Sequence, residues 1–261
     1  MATQFAFGKI VTNGLVLALD AADKNSYAGS GTTWRDVSGN GNTGTLTNGP
    51  SFSSTNGGNV VFDGVDDYVE CSTRNISLEF QPTQPYSCFL FYKNTQTSAN
   101  ALIANMNNIS PYPGWDIWFN GNVSNTISMH LISAWNTNAI KVKVDYNHAD
   151  YANKWTFFGY TYNGSCPTNT TDSLNSVNFY LNGVLYTSGK SMDGATDGFN
   201  TSSETITYDS NQRFRLASRW TNGGASSPSQ CTIANVNIYN RVLSATEVLQ
   251  NYNAQKSRFN L

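Results

Sequence analysis

Phe62-Asp63-Gly64-Val65-Asp66-Asp67-Tyr68-Val69 joins two strand-like segments through a turn that few residue types can make. The run Asn59-Val60-Val61-Phe62 closes on an aromatic, and Gly64 permits a backbone with positive φ. Tyr68-Val69-Glu70 then restarts a strand whose alternate side chains face a core. Asp63, Asp66 and Asp67 read first as turn residues, because an Asp side chain accepts hydrogen bonds from backbone amides one or two residues on. They are also candidate calcium ligands, since carboxylates crowded on a turn are the hard oxygen donors that calcium prefers. No EF-hand spacing accompanies them, so the remaining ligands would have to come from elsewhere in the chain.

Comparable runs recur at residues 15–19, 86–92, 115–119, 127–132, 140–144, 155–162 and 177–181, separated by clusters of Gly, Asn, Ser or Pro. Short β-branched and aromatic runs divided by turn chemistry, with almost no 3.6-residue period, specify an all-β fold. An antiparallel two-sheet jelly-roll sandwich is the expected architecture. Asn182-Gly183, between Val177-Asn178-Phe179-Tyr180-Leu181 and Val184-Leu185-Tyr186, supplies the positive φ angles of a type I′ hairpin. One helix is predicted near the C-terminus, where Ser244 and Glu247 form a capping box ahead of Val248, Leu249 and Tyr252.

With 261 residues and 39% hydrophobic content the chain can bury one large core, so a single main domain is expected. Fifteen basic and 17 acidic residues leave a net charge of -2 without long runs of either sign, which argues against nucleic acid as a partner. No run is apolar and long enough to insert into a membrane as a helix, and the first residues carry no secretory pattern, so synthesis in a cytosol is expected. Cysteines 71, 88, 166 and 231 are widely spaced and lack a Cys-x-x-Cys pair, which points to buried thiols rather than zinc.

Catalytic patterns are weak. Gly39-Asn40-Gly41-Asn42-Thr43-Gly44 matches a dinucleotide fingerprint literally, but neither a hydrophobic strand precedes it nor a helical period follows. Asp116, Asp145 and Glu79 are carboxylates on or beside strand-like runs, yet they form no array aimed at one face. His130 lies within Ser128-Met129-His130-Leu131-Ile132 and reads as a structural strand histidine, with no Ser-His-Asp pattern around it. A non-enzymatic protein is the expectation.

Four ordered segments resemble the laminin-G-like, concanavalin A-like lectin and glucanase superfamily. They are Trp34-Arg35-Asp36-Val37-Ser38-Gly39-Asn40-Gly41-Asn42, the opening stretch from Phe62 to Val69, Phe179-Tyr180-Leu181-Asn182-Gly183, and Ile233-Ala234-Asn235-Val236-Asn237-Ile238-Tyr239-Asn240-Arg241-Val242-Leu243-Ser244. The resemblance implies an arm at residues 1–13, a jelly-roll domain at 14–253, a tail at 254–261, and pairing of the first strand with the last. The opening Asn13-Gly14-Leu15-Val16-Leu17-Ala18-Leu19-Asp20 is similar to laminin-G-like proteins of tailed-bacteriophage virions. That narrower likeness implies a structural virion protein, such as a capsid decoration, head fibre or tail fibre, assembled in the host cytoplasm. It would bind other virion subunits, form a homo-oligomer such as a trimer, and adhere to a host surface glycan.

Tyr112, Trp115, Trp135, Trp220 and Asn222 are the candidate glycan-binding residues, because sugar recognition uses exposed aromatic faces and amide hydrogen bonds. Two other readings compete: a secreted or surface bacterial carbohydrate-binding module, and a glycoside hydrolase. The hydrolase would need Asp116 and a second carboxylate facing one cleft, roughly 5–10 Å apart.

Overall fold

A computed structural model describes residues 9–71, 74, 76–95, 97–120, 124–194, 198–222 and 224–261, and all of His148 except its side chain. Residues 1–8 of the expected N-terminal arm, and Gly223 beside Asn222, lie outside the described residues. The strands are β1 (Leu15–Asp20), β2 (Thr33–Trp34), β3 (Gly44–Thr47), β4 (Ser51–Ser53), β5 (Asn59–Asp63), β6 (Tyr68–Cys71) and β7 (Tyr86–Asn94). They continue as β8 (Asn100–Met106), β9 (Gly114–Phe119), β10 (Thr126–Ala134), β11 (Asn138–Asp145), β12 (Thr156–Tyr162), β13 (Val177–Leu181) and β14 (Val184–Tyr186). The last are β15 (Ser191–Met192), β16 (Arg215–Leu216), β17 (Arg219–Thr221), β18 (Gly224–Ser226) and β19 (Gln230–Tyr239).

An eight-stranded sheet runs β14-β13-β12-β7-β19-β5-β4, with β1 also paired to β19. A nine-stranded sheet runs β15-β11-β10-β9-β8-β16-β6-β3-β2, and β17 and β18 form a separate hairpin. The strand pairs are antiparallel, so the fold is an all-β sandwich. The first and last strands pair as expected, from Leu15 opposite Tyr239 to Asp20 opposite Asn235.

The Asp-rich turn has a larger job than joining neighbouring strands. Because β5 belongs to the eight-stranded sheet and β6 to the nine-stranded one, the turn carries the chain across the sandwich. Asp67 Oδ2 accepts the Asp63 amide at 3.0 Å, and Asp63 Oδ1 accepts the Val65 amide at 2.8 Å. At Gly64 φ is 78°, and a Cβ there would sit 2.9 Å from the backbone nitrogen of Gln230, so both conformation and space require glycine.

Alternation along each strand divides the apolar residues between the two faces of its sheet. On β7, Tyr86, Cys88, Leu90 and Tyr92 join Trp34, Phe62, Trp115, Ile117 and Ile238 between the sheets. Phe89 and Phe91 point the opposite way and pack with Phe157, Tyr180 and Tyr239 in a second cluster. Strand parity puts these last three on the far side of the eight-stranded sheet. Helix α1 (Ala245–Asn253) covers this face with Val248, and its Ser244–Glu247 capping box forms as predicted. The expected tail also packs here: Phe259 stacks on Phe91 with ring centroids 4.6 Å apart and lies 4.6 Å from Trp155. All four cysteines are buried free thiols. Among the described residues no helix is long and apolar enough to cross a membrane.

Candidate functional site

The outer face of the nine-stranded sheet carries the site, and strand parity explains its composition. On β9, Trp115, Ile117 and Phe119 enter the inter-sheet core, which leaves Asp116 and Trp118 on the outside. On β10 and β11 the same rule exposes Ser128, His130, Lys141 and Lys143 to that outer face. Register then aligns them: Asp116 lies opposite His130, which lies opposite Lys141, while Trp118, Ser128 and Lys143 form the adjacent row. Small residues Ala101, Ala104 and Ala139 floor the neighbouring surface.

Two groups from outside the sheet close over these rows. Arg219, on β17, directs Nε and Nη2 to Asp116 Oδ2 at 2.7 and 2.6 Å. His130 Nδ1 lies 2.8 Å from Asp116 Oδ1. Asp193, just after β15, meets the opposite ring nitrogen, with His130 Nε2 3.3 Å from its Oδ2. Ser128 Oγ donates to the same oxygen at 2.7 Å, and Lys143 Nζ is 3.6 Å from Oδ1. The Arg219 guanidinium lies over Trp118, 3.9 Å from its ring centroid, and 5.6 Å from that of Trp135. Lys141 Nζ approaches the Trp135 ring to 4.5 Å. Tyr112 meets Trp135 edge to face at 5.7 Å.

Between these groups is a pocket of about 640 Å³, lined among others by Tyr112, Trp118, His130, Trp135, Lys141, Asp193 and Arg219. Burial by itself would raise the Asp116 pKa, but Arg219 and His130 outweigh it and hold this carboxyl below its ordinary range. Asp193 likewise resists burial and is held well below the ordinary range by His130, Ser128 and Lys143. Burial would lower the His130 pKa, yet Asp116 and Asp193 together raise it above its ordinary 6.5. Both carboxylates are therefore ionised near neutral pH beside the Arg219 guanidinium, and their charge favours the protonated form of His130. Neither is the raised-pKa acid that glycoside cleavage requires.

These shifts fix a pH dependence. The raised His130 pKa contributes stability that is complete below about 6.5 and is lost as pH rises through the folded value. The lowered Asp116 and Asp193 values contribute stability present above about 3.8 and lost as pH falls through their folded values. Urea unfolding measured from pH 5 to pH 9 should show the wild type losing stability more steeply above pH 6.5 than His130→Gln. Parallel curves would remove His130 from the account.

The sequence candidates separate in space. Tyr112 and Trp135 line the pocket. Trp115 is fully buried in the core, where its Nε1 donates to the Leu78 carbonyl at 2.7 Å, so it presents no face to a ligand. Trp220 lies in β17, 6% exposed. With Asn222 it borders a different groove, of about 480 Å³, beside the Arg215–Glu70 ion pair. Oxygen atoms of Asp63, Asp66 and Asp67 lie within 4.8 Å of one another, a spacing that could hold a metal ion. A groove of about 750 Å³ beside the Arg258–Asp20 ion pair contains none of the predicted residues.

Trp118, Lys141, Asp193 and Arg219 escaped the sequence reading. For Trp118 a signal existed: Ile117 and Phe119 share the parity of Trp115, so Trp118 had to face outward with Asp116. Arg219 and Asp193 come from elements remote in sequence, and nothing local announces their convergence.

Fold and site define an antiparallel β-sandwich with a charged, aromatic-walled pocket on one outer sheet face. Residues 31–243 match the family described as Clostridium neurotoxin, N-terminal receptor binding, and the chain belongs to that family. No curated protein matches the sequence. Among solved structures, the botulinum neurotoxin serotype D binding domain is similar at 16% identity and TM-score 0.63, over 94% of this chain and 53% of that one. The binding domain of botulinum neurotoxin DC in complex with rat synaptotagmin II gives 14% identity and TM-score 0.63, over 94% and 52%. Trypanosoma rangeli sialidase in complex with sialic acid gives 15% and 0.57, over 94% and 33%. These likenesses show the fold, and the chain spans about half the length of the toxin domains.

The family match corrects the laminin-G-like, bacteriophage assignment. The virion structural role, virion-subunit partners, the virion homo-oligomer or trimer, and the virion location fall with it. Neither the bacterial carbohydrate-binding module nor the glycoside hydrolase fits the findings better. The physical reason lies in the markers themselves, which are loop organisers. Asp36, for example, accepts the Ala18 and Ser38 amides on Oδ1 and the Asn42 amide on Oδ2, each at 2.9 Å. Such residues report a sandwich loop and do not separate one lineage from another.

Proposed function

We propose that the chain is a non-enzymatic receptor-binding domain that holds a glycan of a cell-surface receptor in the pocket above β9, β10 and β11. The carrying observation is the convergence of Tyr112, Trp118 and Trp135 around a cavity whose polar groups are already oriented. Aromatic faces match the apolar faces of sugar rings, while fixed polar groups select hydroxyl positions. Among the described residues the Tyr112 hydroxyl and the Asn136 amide make no hydrogen bond and are available to a ligand. The ionised states of Asp116 and Asp193 support a binding role rather than glycosidase chemistry. The family's description as receptor binding supports the same reading, and we take the two sheets to be of jelly-roll type.

Labelled protein should bind cells that display surface glycans, and enzymatic deglycosylation should reduce that binding. Trp135→Ala should weaken it by about 30-fold, the effect of losing one central aromatic anchor worth roughly 2 kcal/mol. Binding that persists undiminished on deglycosylated cells would overturn the proposal.

A further inference from the structure

The groove beside the Arg258–Asp20 ion pair lies on the other side of the sandwich from the aromatic pocket. Val236 and Ile238 of β19 enter the inter-sheet core, so Asn237 faces outward from the eight-stranded sheet. Ala18, its antiparallel partner on β1, shares that face. Ala22 and Ala254 add small apolar surface, and among the described residues no aromatic ring lines the groove. Without an aromatic face it is a poor seat for a sugar ring.

Two neutral amides set this groove apart. Asn237 is 3% exposed and Gln255 8%, yet among the described residues the Asn237 Nδ2 donor and the Gln255 Oε1 acceptor have no hydrogen-bond partner. Buried amide atoms left unpaired cost stability that an apolar side chain would not. The ion pair beside them is already saturated. Arg258 Nη1 meets both Asp20 oxygens at 3.0 Å, while its Nε and Nη2 donate to the Asn56 and Gly58 carbonyls at 3.2 and 3.1 Å. Asp23, also in the lining, has no cationic partner among the described residues, so the groove carries one uncompensated negative charge.

A peptide unit answers these features together. Its carbonyl accepts from Asn237, its N–H donates to Gln255, and small side chains fit against the three alanines. A basic side chain complements Asp23. We infer that the groove binds an extended segment of a protein partner, carrying small apolar side chains and a lysine or arginine, through the amides of Asn237 and Gln255. The site is separate from the glycan pocket, and neither reading depends on the other.

The test is calorimetric titration of the whole chain with two end-blocked peptides, alanine-valine-alanine with lysine at one end or the other. Wild type should bind at least one of them saturably. Analogues of that peptide in which each internal N–H is replaced in turn by an ester oxygen should include one that binds about tenfold more weakly, because it strands the Gln255 acceptor. Norleucine in place of lysine should weaken binding and remove its salt dependence. Asn237→Leu should bind about tenfold more weakly yet melt at or above the wild-type temperature, since it removes an unpaired amide from the interior. Equal affinities across the ester series, or wild-type affinity in Asn237→Leu, would overturn recognition through the amides. Absence of saturable binding would overturn the site. Tighter binding of the same peptide with free termini would overturn an internal segment as the ligand. If Asn237→Leu fails to fold, the ester series on wild type decides the matter.

Discussion

Asp116→Ala should destabilise the protein by about 3–5 kcal/mol, the cost of stranding charged partners in a buried site. Asp116 has no exposed surface, and its two oxygens serve Arg219 and His130, which are 5% and 1% exposed. Removing the carboxylate leaves the guanidinium with the faces of Trp118 and Trp135 but no anion. Imidazolium formation at His130 also loses its principal support. A melting temperature lower by roughly 10 °C is expected at neutral pH. The double variant Asp116→Leu with Arg219→Met should recover much of that loss, because removing both members of a buried pair avoids an orphaned charge. Calorimetry on the single and double variants measures both effects, and a single-variant loss below about 1 kcal/mol would mean that the ion pair is not formed.

Trp115→Ala should cost a similar amount, about 3–5 kcal/mol, for a different reason. Its ring packs among Phe80, Tyr86 and Phe214, with centroids 5.6, 5.6 and 6.0 Å away, and its indole satisfies the Leu78 carbonyl. Truncation opens a cavity between the sheets and removes one of that carbonyl's two donors, leaving Asn105 Nδ2 at 2.9 Å. Urea unfolding should register the loss, while ligand affinity measured well below the melting point should stay close to wild type. A selective loss of affinity at unchanged stability would return Trp115 to the site and contradict the outward parity assigned to Trp118.

The contrast between Trp115 and Trp118 shows what was legible in the sequence. Strand runs, the Asn182-Gly183 hairpin and the Ser244–Glu247 cap were readable because each depends on local backbone chemistry. Asn182 and Gly183 do adopt φ values of 50° and 80°, as the hairpin demands. Parity within residues 115–119 was also readable, since Trp115, Ile117 and Phe119 share one face of the strand and Asp116 and Trp118 the other. The Asp-rich turn gave the strand boundaries correctly but not the sheets it connects, since that depends on pairing with β19 and β3.

The site was less legible for a physical reason. Its central ion pair joins Asp116 to Arg219, 103 positions later, and Asp193 reaches His130 across 63. Neither partner sits in a motif, and a lone strand histidine looks the same whether or not a carboxylate will meet it on each side. Lineage was obscured for a related reason, because Asp36, Gly64 and Asp67 are selected by turn geometry. The family match across residues 31–243 supplies what those turns could not.

The pocket claim is tested most directly by the indole N–H resonances of the six tryptophans while a binding glycan is titrated. Trp118 and Trp135 should shift progressively and saturate together, while Trp34, Trp115, Trp155 and Trp220 stay close to their starting positions. Saturable shifts centred on Trp220, with Trp118 and Trp135 unmoved, would place recognition on the other side of the β17–β18 hairpin and contradict the account.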